Sequence, residues 1–224
     1  MLRRLTRLTV PVVALTTGYA FFPKEWRKNH SSELKKINHF NESINDQLEL
    51  SKEFQELSSN DKIRKFSPRQ EFPSQHRENY VGSGILFGPD LMEIDPIVFI
   101  NPDEGELTSF YHLGTKLISQ DGQIHNGIVS TILDEGLCTC GFARLPSKKG
   151  VTAKLSINFI NQAPPNSTVV LRAKVVESKG RKVIIRGDLE TYPLNGGEAV
   201  KIATSECILV EPKWFKYLSW LQVF

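Results

Sequence analysis

Residues Val151–Phe159 read VTAKLSINF, with Val151, Ala153, Leu155, Ile157 and Phe159 on one side and Thr152, Lys154, Ser156 and Asn158 on the other. Such strict alternation predicts an extended strand with one buried face. Just upstream, IVSTILDEGLCTCG over 128–141 sets Ile128, Ile132 and Gly136 on one line, with Val129, Leu133, Leu137 and Cys140 beside it. That is a wide apolar stripe at helical period. Val169–Glu177, Val183–Thr191 and Ala199–Val210 read as three further strands, delimited by Pro164-Pro165-Asn166, by Ser178–Arg181 and by Asn195-Gly196-Gly197. Strands joined by short turns pair antiparallel. The helix must bury its stripe, and an α+β fold with one curved antiparallel sheet wrapped around one long helix lets it do so.

Charge and cysteine usage narrow the chemistry. With 28 Lys+Arg against 25 Asp+Glu the net charge is +3, no excess of the kind that binds polyanions, so no nucleic-acid partner is expected. Cys138, Cys140 and Cys207 are the only cysteines, and no CxxC pair occurs. Neither a disulfide framework nor a structural zinc site follows from that set, and no metal or cofactor is expected. Cys138 and Cys140 stand two apart, face different ways on a helix, and read as small apolar residues.

Residues 1–30 read as a targeting segment. Arg3, Arg4 and Arg7 precede an uncharged run from Leu8 to Pro23, Thr6, Thr9, Thr16 and Thr17 supply hydroxyls, and the first acidic residue is Glu25. This matches a mitochondrial presequence. The 16-residue run falls just short of the roughly 17–25 that span a bilayer, leaving a short membrane anchor through residues 8–23 open; Gly18-Tyr19-Ala20 leaves a secretory signal open as well. Residues 31–79 form a polar extension in which Leu34, Ile37, Ile44, Leu48, Phe54 and Leu57 recur at near-helical spacing, predicting a surface-lying helix or helix pair. Ser67-Pro68 and Phe72-Pro73-Ser74 mark a linker. A folded domain over residues 80–224 is expected, 145 residues in all.

The run Ile124-His125-Asn126-Gly127-Ile128-Val129-Ser130-Thr131-Ile132-Leu133-Asp134-Glu135 resembles the HGG-x(6)-D/E motif of hotdog-fold acyl-CoA thioesterases. The similarity is to the branch of the phenylacetyl-CoA and 4-hydroxybenzoyl-CoA enzymes and the human thioesterase-superfamily members. Val151–Phe159 with its Pro164-Pro165 exit, and the hairpin at Glu177–Lys182, resemble the same family. The resemblance covers about residues 80–212. It implies a hotdog fold, hydrolysis of acyl-CoA to free acid and CoA, and a homodimer or dimer of dimers.

Thioester hydrolysis needs an activated water or a carboxylate nucleophile, and donors for the oxyanion that grows on the carbonyl. The first amides of a helix have no intrahelical partner and sit at its positive end, so the N–H groups near Asn126 and Gly127 are suited to polarise a carbonyl. Asp134 and Glu135 are the carboxylates. Eight residues at about 1.5 Å each put Asp134 roughly 12 Å from Asn126 along one helix, too far for one carbonyl to touch both. If both serve one reaction, they come from antiparallel helices of two subunits. By position alone, Asp134 and Glu135 also read as solvated helix surface and His125 as a capping residue.

The resemblance implies that Asp134 activates water and that Thr152, read on the polar face of its strand, orients that water. It implies that His125 positions the oxyanion turn or the leaving group, and that Glu135 and Ser119 lie at the substrate, Glu135 being the reserve acid. Two positions depart from the family. Ser119 stands where some relatives carry Asn, and Asn126 replaces a glycine, adding a side chain although Asn tolerates left-handed backbone best among non-glycine residues. A non-catalytic hotdog module that binds acyl-CoA or a protein partner is therefore the alternative. A hydratase is weaker, because Asp121-Gly122-Gln123-Ile124-His125 is one residue short of that branch's motif and lacks its Asn-Pro.

Overall fold

The computed structural model describes Ala14 and residues 39–71 and 77–215. In chain order these give α1 (Glu42–Leu50), α2 (Lys52–Ser59), β1 (Arg64–Phe66), α3 (Pro68–Glu71), a wide helical turn (Val81–Ile85), β2 (Ile97–Asn101) and β3 (Glu106–Leu113). The central helix α4 (Asn126–Phe142) follows, then β4 (Val151–Phe159), β5 (Ser167–Lys179), β6 (Lys182–Thr191) and β7 (Lys201–Val210). The strands form one antiparallel sheet in the order β1-β2-β3-β5-β6-β7-β4. Helix α4 lies on one face of it. This is the expected α+β hotdog architecture, a long helix held by a long antiparallel sheet.

The helix stripe supplies the core. Val129, Ile132, Leu133, Leu137 and Cys140 are buried against Leu171, Ile185, Leu189, Cys207 and Leu209 of the sheet. Gly136 and Gly141 allow the helix to sit close: a Cβ at Gly136 would stand 2.2 Å from Leu171 Cδ2, and one at Gly141 2.8 Å from Ile185 Cδ1.

The opposite face is covered in part by the α1–α2 pair. Leu48 and Phe54 pack on Ile94, Ile97, Phe99, Phe110 and Val170, with the Phe54 ring edge-on to Phe99 at 5.0 Å. Beyond that cover, exposed ion pairs lace the face, among them Arg186–Glu206 at 2.9 Å and Lys201–Asp188 at 3.2 Å. The sheet begins ahead of Tyr80, the expected start of the domain. β1 pairs with β2 (Arg64↔Ile100, Phe66↔Val98), and Ser67, expected in a linker, is buried with its hydroxyl on the Asp95 carboxylate. The extension packs because its few apolar residues converge on one patch of sheet.

One expectation about β4 needs correction. Its pairing with β7 steps from Thr152↔Leu209 to Lys154↔Ile208, so Ala153 is an extra residue and the strand carries a bulge. The bulge shifts the alternation by one. Thr152 shares a face with Leu155 and Ile157, all three half-buried toward the helix, while Lys154 points out.

Candidate active site

Helix α4 starts where two backbone contacts fix the entering chain: Ile124 N–H donates to Ala163 O at 2.9 Å and His125 N–H to Leu117 O at 2.8 Å. His125 is the N-cap, its Nδ1 accepting from the Gly127 N–H at 2.8 Å. A ring that accepts at Nδ1 carries its proton at Nε2. Asn126 N–H has no protein acceptor among the described residues, and His125, Asn126 and Gly127 are all exposed. Of the two amides expected to face a carbonyl, one is open and the other is held by an exposed ring that must swing away to free it.

Ser119 is committed to the turn before the helix. Its hydroxyl donates to Asp121, whose carboxylate also accepts from Gln123 N–H at 3.0 Å and Gln162 Nε2 at 2.7 Å. Gly122 completes that turn at φ +77°, a conformation open to glycine.

Two turns along α4 the carboxylates diverge. Asp134, half-buried, accepts from Thr152 Oγ1 at 2.8 Å, and Thr152 Oγ1 lies 3.0 Å from Cys138 Sγ. Asp134 and Cys138 are four residues apart and so share the helix face turned to β4. Thr152, expected on the polar side of its strand, joins them because of the bulge. Cys138, read as a small apolar residue, is a hydrogen-bonding member of the cluster. The i, i+4 spacing from Asp134 was its sequence signal.

Glu135 faces the other way. It accepts from the Gly82 N–H at 3.2 Å and is hydrogen-bonded to the Tyr80 hydroxyl. A Cβ at Gly82 would stand 2.1 Å from Glu135 Oε2, so glycine lets that backbone approach. Burial pushes the Glu135 carboxyl up, against the pull of the Tyr80 and Gly82 bonds. Burial and the Glu135 charge push the Tyr80 hydroxyl up in turn. The structure therefore brings Asp134 and Thr152 together, sets the helix entry apart from them, and gives Glu135 to a separate buried cluster with Tyr80.

β4, which carries Thr152, is an edge strand among the described residues, with β7 on one side and no described strand on the other. Val151, Phe159 and Ile160 on or beside it are 46%, 41% and 47% exposed. An uncovered edge with apolar ends is a ready surface for pairing with another chain.

Fold and site together define a hotdog-type protein with a carboxylate–hydroxyl pair beneath an open edge strand and a helix entry carrying a bare amide. Residues 121–193 match the family model described as Thioesterase superfamily. The chain is 61% identical over its full 224 residues to a Candida albicans (strain WO-1) protein described as "Uncharacterized protein, mitochondrial", covering all of both chains. It is 45% identical over 199 residues to "MIOREX complex component 3" of Saccharomyces cerevisiae, covering 80% of this chain and 74% of that one. It is 28% identical over 96 residues to "Acyl-coenzyme A thioesterase THEM4" of Bos taurus, covering 43% and 38%.

The chain carries a thioesterase-superfamily domain, matched over residues 121–193, and its localisation is mitochondrial. Apart from Ala14, residues 8–23, the expected anchor, lie outside the described residues; no helix among the described residues is long and apolar enough to cross a membrane.

Proposed function

We propose that the protein hydrolyses acyl-CoA thioesters to a free acid and CoA. The observation that carries this reading is the Thr152–Asp134 bond at 2.8 Å: a half-buried carboxylate held by a hydroxyl beneath an open strand edge. Asp134 takes a proton from water, whose oxygen attacks the thioester carbonyl while the Asn126 N–H of a second subunit stabilises the oxyanion. The C–S bond then breaks, and the CoA thiolate leaves and is protonated. Pairing of two chains along β4 brings one subunit's helix entry toward the other's Asp134, which the roughly 12 Å spacing along a single helix cannot do. A homodimer is the unit of activity, and dimers of dimers are compatible with it. Membrane association through residues 8–23 would be additional to this site.

The binding-module reading draws on one observation of its own. The Gly127 N–H is taken by His125, and Asn126 places a side chain where the family motif has glycine. Thiol release from octanoyl-CoA, run beside a melting scan with the same ligand, separates the two. Hydrolysis predicts turnover, with kcat falling by about two orders of magnitude in a folded Asp134→Asn variant. Stabilisation by the ligand without turnover refutes hydrolysis and favours the binder.

A further inference from the structure

Three side chains from different parts of the fold meet at Asp134: Thr152 from β4, Cys138 from the same helix, and Cys207 from β7, whose thiol is in hydrogen-bonding contact with Cys138. The direction of each bond follows from proton inventory. A threonine hydroxyl has one hydrogen, and an ionised carboxylate only accepts, so Thr152 donates to Asp134 at 2.8 Å. Its oxygen is then left as an acceptor. Two thiols lie within hydrogen-bonding reach of that oxygen, Cys138 with its sulfur at 3.0 Å and Cys207, and with the Thr152 hydrogen on Asp134 it is the thiol of the Cys138 contact that supplies its S–H. Contact with Cys207 and burial push the Cys138 thiol up, so it stays protonated; with its one hydrogen on Thr152, the contact between the two thiols is made by the Cys207 S–H.

We propose that Cys138 is a positioning residue for the thioesterase site: its S–H fixes the Thr152 hydroxyl so that the O–H points at Asp134. The inference rests on the hydrolytic reading above, with Asp134 as the base. A free threonine hydroxyl has three staggered orientations, and the Cys138 donor selects the one that leaves the hydrogen facing the carboxylate. A donor on the far side of the hydroxyl also polarises it and strengthens its bond to the charged carboxylate. Cys138 touches neither water nor substrate in this scheme. It acts only through Thr152, and Cys207 packs behind it, with its side chain buried.

Cys138→Ala and Cys138→Ser are compared with wild type and Asp134→Asn on octanoyl-CoA, after circular dichroism and melting establish that each folds. Cys138→Ala is expected to lower kcat by about three- to tenfold, the size of one modest hydrogen bond, with KM unchanged. Cys138→Ser, which restores a donor, should recover that loss. The Cys138 S–H stretching band, identified as the one lost in Cys138→Ala, should shift in Thr152→Val. Equal impairment of the Ala and Ser variants, wild-type kcat in Cys138→Ala, or an S–H band unmoved in Thr152→Val overturns the positioning role. If that happens while Asp134→Asn is inactive, hydrolysis by Asp134 still stands. Turnover indifferent to Asp134→Asn, or none in wild type, overturns both.

Discussion

Replacing Gly136 by alanine measures how closely the central helix is seated on the sheet. The added Cβ would lie 2.2 Å from Leu171 Cδ2, where carbon atoms at rest stand about 3.5–4.0 Å apart. More than 1 Å must be found, and Leu171 is fully buried between β5 and the helix, with Tyr111 Oη 3.8 Å from the same point. Overpacking of this kind costs about 1–3 kcal/mol, and so tight a contact argues for the upper half. Alanine in a helix interior returns about 1 kcal/mol over glycine. Gly136→Ala should therefore destabilise by about 1–2 kcal/mol, a drop in Tm of roughly 3–6 °C for a chain of this size. Leu171→Ala alone should cost about 2–5 kcal/mol for the lost side chain and its cavity. In that background the clash is gone, and Gly136→Ala should become neutral or stabilising by up to about 1 kcal/mol. Urea unfolding of the two single variants and the double variant, followed by circular dichroism, reads the sign change directly. Stabilisation by Gly136→Ala in the wild-type background would refute the close seating.

Burial pushes the Asp95 carboxyl up to about 6 from 3.8, so its favourable contribution is complete below about pH 4 and is lost as pH rises through 6. Asp95→Asn should raise Tm at pH 7.5, the two-unit shift setting an upper limit of about 3 kcal/mol, and the gain should vanish near pH 4; a gain independent of pH would contradict this. Mixing the inactive variants Asp134→Asn and Gly127→Val under conditions of subunit exchange should restore activity to about one quarter of wild type. Half the dimers are then mixed, each with one intact shared site. Verified exchange without recovery would place both groups in one chain.

The parts of the fold legible in the sequence are those with one face in water. Helix α4 spans Asn126–Phe142 where the stripe predicts 128–141, and β6 spans Lys182–Thr191 where the pattern predicts Val183–Thr191. β2 went unread because it is covered twice, by the helix layer at Val98 and Ile100 and by the α1–α2 pair at Ile97 and Phe99. A strand buried on both faces has no alternation to show. Its partner β3 is likewise buried along most of its length, with Phe110 toward one layer and Tyr111 toward the other. The α1–α2 pair looks like a solvated surface helix for a related reason. Its polar residues outnumber the few apolar ones, and only the sheet's outer patch explains why Leu48 and Phe54 are buried.

The site was legible as a set of residue types on one helix but not as a set of directions. Helical period separates Asp134 from Glu135 by about 100° and places Asp134 over Cys138, yet it does not say which row faces the strand edge. That depends on the bulge at Ala153, whose extra residue leaves no mark in the alternation of VTAKLSINF. Without the bulge, Thr152 would share the outward face with Lys154 and could not reach Asp134. With it, the hydroxyl turns inward at one position while Leu155 and Ile157 still meet the core. The Gly82 backbone does the complementary work on the other side: by approaching within hydrogen-bond reach of Glu135 it draws that carboxylate into the Tyr80 cluster. Two neighbouring acids thus acquire different environments from one irregular strand and one close backbone contact, and Asp134 is the one left beneath the open edge.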